Sequence, residues 1–150
     1  MERTLIIFKP DALNRLLVGR ILARFEDKGL RIAAMKLQQS PRQQVEQHYQ
    51  VHRGKPFYDA LVEFMTGGPV ILAVLEGPDA VVVVRNLLGT TDGKVAAPGT
   101  VRGDFGLDQR YNLVHAADSP ETARFEIELF FKPEEIVTYT RAPDRWIVSK

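Results

Sequence analysis

The residues that could do chemistry cluster around one histidine. His115 closes the short apolar run from Tyr111, and Glu126 follows on a helical stretch between Ala123 and Phe130, at the border of its apolar stripe. A carboxylate near an apolar face needs a charged or hydrogen-bonding partner, and an imidazole is a suitable one. A carboxylate on one ring nitrogen fixes the tautomer and leaves the other nitrogen as a nucleophile. Spacing alone favours the blander reading, with Glu126 reaching solvent and His115 a satisfied strand-end residue. The basic residues add weight to the first reading. Lys9 ends the first strand, Arg85 precedes a long loop, and Arg102 lies within it near Thr91, Thr100 and Asn112. If the strand ends and the loop converge, these groups form an anion clamp. Phosphoryl transfer asks for that: positioning and charge neutralisation with little covalent help.

Other candidates are weaker. The stretch Gly89 to Val95 resembles a P-loop, but its spacing is one residue short and Val95 replaces the hydroxyl residue that would hold Mg²⁺. Arg102-Gly103-Asp104 spells an adhesion tripeptide by chance. His48 and His52 stand at helical spacing, yet no third metal ligand accompanies them, and both read as solvent-facing.

The elements that must position these groups follow from pattern. Thr4 to Phe8 is an apolar, β-branched run fit for a buried strand. Pro10 and Asp11 open a helix carrying Leu13, Leu16, Leu17, Ile21, Leu22 and Phe25, and Gly29 stops it. A strand from Leu30 to Leu37 comes next. Ser40-Pro41-Arg42-Gln43 reads as a capping box opening a helix with His48, Tyr49 and His52. A short helix from Pro56 to Met65 and a strand from Val70 to Gly77 follow. Asp79 to Leu88 is ambiguous, because four valines favour a strand while Pro78 and Gly89 look like helix ends. Gly89 to Gln109 has no periodicity, and a loop of that length in a compact domain is usually functional or disordered. Tyr111 to His115 suits a short strand, and Asp118 to Glu121 opens the last clear helix. These elements predict an α/β (α+β) ferredoxin-like sandwich, a four-stranded antiparallel sheet with helices packed on it and a long loop. With no repeat or linker, residues 1–150 read as one domain, 132–150 forming a C-terminal tail.

Composition narrows the class. Twenty basic against nineteen acidic side chains give a net charge of +1, which makes nucleic acid unlikely as the main partner. The absence of cysteine excludes disulfides, thiolate metal sites and cysteine nucleophiles. The N-terminal apolar run is too short for a signal peptide and no run spans a bilayer, so a cytoplasmic protein without membrane association is expected.

The blocks TLIIFKPDAL, HYQVHRGKPFYDALVEFMTGGPVILAVLEG, PGTVRGDF and YNLVHAADSPETARFEIELFF, in register from Glu2 to Thr140, resemble the nucleoside diphosphate kinase family. The resemblance implies reversible transfer of the γ-phosphate of a nucleoside triphosphate, usually ATP, to a nucleoside diphosphate. It implies a ping-pong route through phosphohistidine at His115, attacking through Nδ1, with Glu126 orienting the other nitrogen. Lys9, Arg85, Thr91, Arg102 and Asn112 would bind phosphates and ribose, Phe57 would stack on the base, and Tyr49 would lie near the nucleophile. Mg²⁺ would ride on the phosphates, with no direct protein ligand and Asp118 reaching it at most through water. The likeness favours a helix from about Asp79 to Leu88 and assigns the long loop to nucleotide and subunit contact. It also implies a homo-oligomer, a hexamer rather than a tetramer given the tail with Trp146. Three positions depart from the family pattern: Ala116-Ala117 for Gly-Ser, Arg110-Tyr111 for Gly-Arg, and Lys55 for arginine. The double alanine supports an alternative, a catalytically impaired nucleotide-binding regulatory or scaffold protein on the same fold.

Overall fold

The computed structural model describes residues 1–149. Its sheet has four antiparallel strands in the order β2-β3-β1-β4: β1 (Glu2–Phe8), β2 (Arg31–Gln38), β3 (Val70–Gly77) and β4 (Val114–Ala116). This is the expected ferredoxin-like arrangement. Helices α1 (Pro10–Asn14), α2 (Val18–Lys28), α3 (Arg42–His48), α4 (Tyr58–Thr66), α5 (Ala80–Leu88), α6 (Val101–Phe105), α7 (Pro120–Phe130) and α8 (Asp144–Ile147) complete it. No helix among the described residues is long and apolar enough to cross a membrane.

β1 is apolar at successive positions because helices cover both faces of the sheet. Ile6 and Phe8 face Ile21 and Phe25 of α2 and Val84 and Leu88 of α5. Leu5 and Ile7 face Val45 of α3, Val62 of α4 and Phe130 of α7. This alternation decides where His115 points. His115 lies opposite Ile7 in the β1–β4 register, and directly opposed residues share a face. The imidazole is therefore delivered to the side covered by α3 and α7. Lys9, two residues beyond Ile7, inherits the same side.

Several expectations change. The first helix is two, α1 and α2, broken where Leu16 takes a left-handed φ of 57° and stands 87 % exposed. The proposed capping box does not form. Pro41 is the N-cap residue of α3 and makes no side-chain bond, while Ser40 Oγ accepts from Gln38 Nε2 instead. α3 ends at His48, and a single 3₁₀ turn, Gln50–His52, carries the second histidine. The valine-rich segment is helical, with Ala80, Val81, Val84 and Leu88 buried on one stripe. The long loop contains α6, capped by Thr100 Oγ1 accepting from Gly103 N–H. β4 is three residues long, beginning three residues later than expected.

Candidate active site

β4 is short because the backbone before it turns sharply. Leu113 is fully buried at a φ of 75°, a conformation costing a non-glycine residue about 1–3 kcal/mol. Its neighbours hold it there. Lys9 N–H donates to Leu113 O at 2.9 Å, and Leu113 N–H donates to Asp11 Oδ2 at 3.1 Å. The β1–α1 turn thus fixes the approach to His115 from both sides.

On the α7 side, Ser119 caps the helix through its hydroxyl, which accepts from Thr122 N–H. This cap and Pro120 set the helix start, and Glu126 then falls on the buried stripe with Ala123 and Phe130. Glu126 is 1 % exposed, so it is not at the border of the apolar face as its spacing suggested. His115 Nε2 meets Glu126 Oε2 at 2.5 Å. The expected pair is present.

The structure adds a member that sequence reasoning placed in solvent. His48 is buried, and its Nε2 bonds the same Oε2 of Glu126. Val45, His48 and Tyr49 form the buried stripe of α3 and its C-terminal residue, an i, i+3, i+4 pattern that could have revealed it. His52 is half-buried in its own turn, with its ring 5.2 Å from Phe57. Tyr49 lies where the resemblance put it, with its ring 6.0 Å from that of His115.

The charges follow from these contacts. Burial opposes the negative charge of Glu126, but the hydrogen bonds from His115 and His48 outweigh it and hold the carboxyl below its ordinary range. Burial lowers the His115 pKa, Glu126 opposes that, and His48 and Lys9 add to the lowering. The ring is therefore neutral at pH 7, as a nucleophile must be. Burial raises the Tyr49 phenol, with Glu126 acting the same way, so it remains protonated.

The basic residues converge as well. Lys9 is buried and pushed down to about 8, by burial first and then by Arg102. Arg102 is held down at about 10 by burial and then by Arg85. A lysine lowered by one arginine, and that arginine lowered by a second, make a site short of negative charge. Arg102 also has a structural task. Its guanidinium donates to the carbonyls of Asn112 (3.2 Å), Gly89 (3.0 Å) and Val114 (2.5 Å), stapling both ends of the loop to β4. Arg85 is exposed, and its Nη1 reaches Ala116 O at 3.5 Å, next to His115 in the chain. Asp118 is exposed three residues after His115.

A cleft of about 650 Å³ opens beside Lys9, lined also by Phe57, Thr91, Arg110, Tyr111 and Asn112, while His115, Arg85 and Arg102 are not among its lining residues. Lys9 and Asn112 are buried in it, while Phe57 and Thr91 stand exposed at its walls. Another cleft of about 600 Å³, lined by Arg3, Glu76, Arg124 and Glu128 among others, contains none of these site residues. The P-loop lookalike is a tight turn packed on the Gly106 backbone. Gly93 is needed there because a Cβ would fall 2.4 Å from the Gly106 carbonyl.

Comparison with known proteins agrees with this geometry. A family described as nucleoside diphosphate kinase matches residues 2–136. A nucleoside diphosphate kinase of Thermomicrobium roseum is 53 % identical, covering 99 % of this chain and 100 % of its own. One from Pyrococcus horikoshii is 55 % identical, covering 99 % and 96 %. The solved structure of a family protein from Babesia bovis superposes with a TM-score of 0.95 at 46 % identity, over 99 % of this chain and 100 % of its own. The halophilic enzyme of Halobacterium salinarum, solved with CDP, gives 0.96 at 43 % identity over 99 % of each chain. With its fold, its buried histidine–glutamate pair and relatives matched end to end, the chain belongs to the nucleoside diphosphate kinase family.

Proposed function

We propose that His115 is the phosphate carrier in this chain, passing the γ-phosphate of a nucleoside triphosphate to a nucleoside diphosphate. The observation that carries this reading is the contact between Glu126 Oε2 and His115 Nε2 at 2.5 Å. An ionised carboxylate can only accept, so the ring proton sits on Nε2 and Nδ1 keeps its lone pair. That pair attacks the γ-phosphorus. The Nδ1–P bond forms as the bond to the bridging oxygen breaks, and the electrons leave with the diphosphate. No proton has to be removed from the ring, and Glu126 faces the positive charge that develops on it. The second half-reaction runs the same steps backward onto a new diphosphate.

Lys9, Arg85 and Arg102 are the phosphate clamp in this reading, with Thr91 and Asn112 on the phosphates and ribose. Their mutual repulsion is relieved when an anion arrives. Phe57 is the stacking wall for the base, and every base has a face to offer it. The Halobacterium salinarum relative was solved in complex with CDP, which supports a nucleotide as the ligand of this chain. Tyr49 acts as a protonated wall of the nucleophile's pocket. Mg²⁺ enters on the nucleotide phosphates. The grouped set His48, His115 and Glu126 is mostly imidazole, whereas Mg²⁺ prefers oxygen, so this set does not suit it. Asp118 can reach the ion through water. Exposed apolar side chains on the loop, Val95 at 74 % and Leu107 at 80 %, support a homo-oligomer, and we assign a hexamer on the strength of the tail. Light scattering of the purified protein tests that assignment, and a tetramer would refute it.

The reaction is tested by exposure to γ-labelled ATP and Mg²⁺. The expected result is acid-labile, base-stable label on His115, discharged by added nucleoside diphosphate and absent in His115→Ala. Arg85→Ala should slow transfer roughly 10²-fold, the scale of one preorganised transition-state contact. Nucleotide binding without label would favour the regulatory alternative.

A further inference from the structure

His48 sits in a closed aromatic setting. Its ring is edge-on to His115, with centroids 4.6 Å apart at 86°, and Tyr49 and Phe130 lie 4.2 and 5.1 Å away. Both imidazoles direct Nε2 at one carboxylate oxygen, while the other, Oε1, is buried with no protein partner. An ionised carboxylate has no proton to give, so both rings must donate. Each is then the Nε2–H tautomer. Nothing in binding an anion explains a second buried imidazole here, because His48 does not line the cleft and gives its donor to Glu126.

The reason lies in the leaving group of the second half-reaction. Phosphohistidine releases its phosphoryl group readily only while Nε2 keeps its proton, since the ring then departs as neutral imidazole. If the proton moves to Glu126, the ring must depart as an imidazolate, which is far more basic. A second donor on Oε2 makes that oxygen a poorer base and so opposes the move. It also holds the carboxylate in line with His115.

We infer that His48 is a positioning residue for phosphoryl transfer, donating its Nε2 proton to Glu126 so that His115 keeps its own. The inference rests on the proposed role of His115 and deepens it. Two variants separate donor from shape. His48→Phe fills the same aromatic setting without a donor, and His48→Gln offers an amide donor. Transient kinetics should show His48→Phe loading from ATP and discharging to diphosphate ~10- to 100-fold more slowly, the scale of one hydrogen bond to a charged group. Both nucleotide KM values should stay within about twofold, since no cleft contact is removed. His48→Gln should recover at least about a third of the lost rate on a logarithmic scale.

Two-bond ¹H–¹⁵N spectra of the wild-type protein give an independent readout, with Nε2–H tautomers expected at both His48 and His115. A proton on His48 Nδ1 with a bare Nε2 would overturn the inference, even if His48→Phe cannot be made. So would wild-type rates in His48→Phe, or a His48→Gln as slow as His48→Phe. Failure of the wild-type protein to take label would instead refute the role of His115, and the tautomers could still be read.

Discussion

Glu126 accepts from both imidazoles at Oε2 and leaves Oε1 buried without a partner. Ala117 is buried in a small cluster with Val81 and Ala123, and Ala123 lies one turn before Glu126 on α7. The family resemblance puts serine where this chain has Ala117, so Ala117→Ser tests whether a hydroxyl at that position supplies the donor that Oε1 lacks. A hydrogen bond to a charged acceptor contributes about 1.5–3 kcal/mol. Burying the hydroxyl among apolar neighbours offsets about 1 kcal/mol of that. The expected gain is thus ~0.5–2 kcal/mol. At this chain length each kcal/mol moves Tm by about 2–4 °C, so calorimetry should show a rise of roughly 1–8 °C. Loading of His115 should accelerate by at most about 10-fold, the equivalent of 1.4 kcal/mol. In a Glu126→Gln background the stability gain should fall to about half or less, because a neutral acceptor is weaker. An Ala117→Ser protein that melts at or below wild type, or whose gain persists undiminished in the Glu126→Gln background, refutes the reasoning.

Three further outcomes follow from the same geometry. Lys9 in the free protein loses its proton near pH 8, whereas a bound phosphate favours the charged form, so nucleotide affinity should fall as pH rises through 8. Calorimetry in buffers of different ionisation enthalpy should find proton uptake on binding at about pH 8.5 and little at about pH 6.5. Arg102→Lys replaces a fork that spans three carbonyls with a point charge, and should lower the denaturation free energy by about 2–4 kcal/mol in urea. Gly93→Ala must push the Gly106 backbone away, and should speed amide exchange across the loop 89–109 while the sheet amides stay protected.

Helical period brings Glu126 near an apolar face and within reach of His115, but spacing alone favours a blander reading of the two, and the family resemblance supplies their role. The sequence misled at His48 because charge and polarity suggested solvent, although the residue shares a stripe with Val45 and Tyr49. The break at Leu16 had no signal, since a leucine in left-handed conformation is chosen by the surrounding chain and not by its own preference. The valine run read as a strand by propensity and became a helix because its buried positions recur at helical spacing against β1. Family resemblance supplied that answer before geometry did. The task of Arg102 was half legible: its charge pointed to phosphate, but three backbone carbonyls as partners leave no trace in residue types.

The cleft beside Lys9 and Phe57 has a consequence for metabolism. If this cleft is the nucleotide site proposed above, donor and acceptor must occupy it in turn, so a diphosphate that arrives before the enzyme is loaded sits unproductively and slows the triphosphate. High acceptor concentrations should therefore depress velocity. The loaded enzyme is also the same species whichever nucleotide loaded it, since only the phosphoryl group stays behind on His115. The protein keeps no memory of its donor. Direction is left to the relative sizes of the nucleotide pools, and the enzyme's effect is to level their phosphorylation.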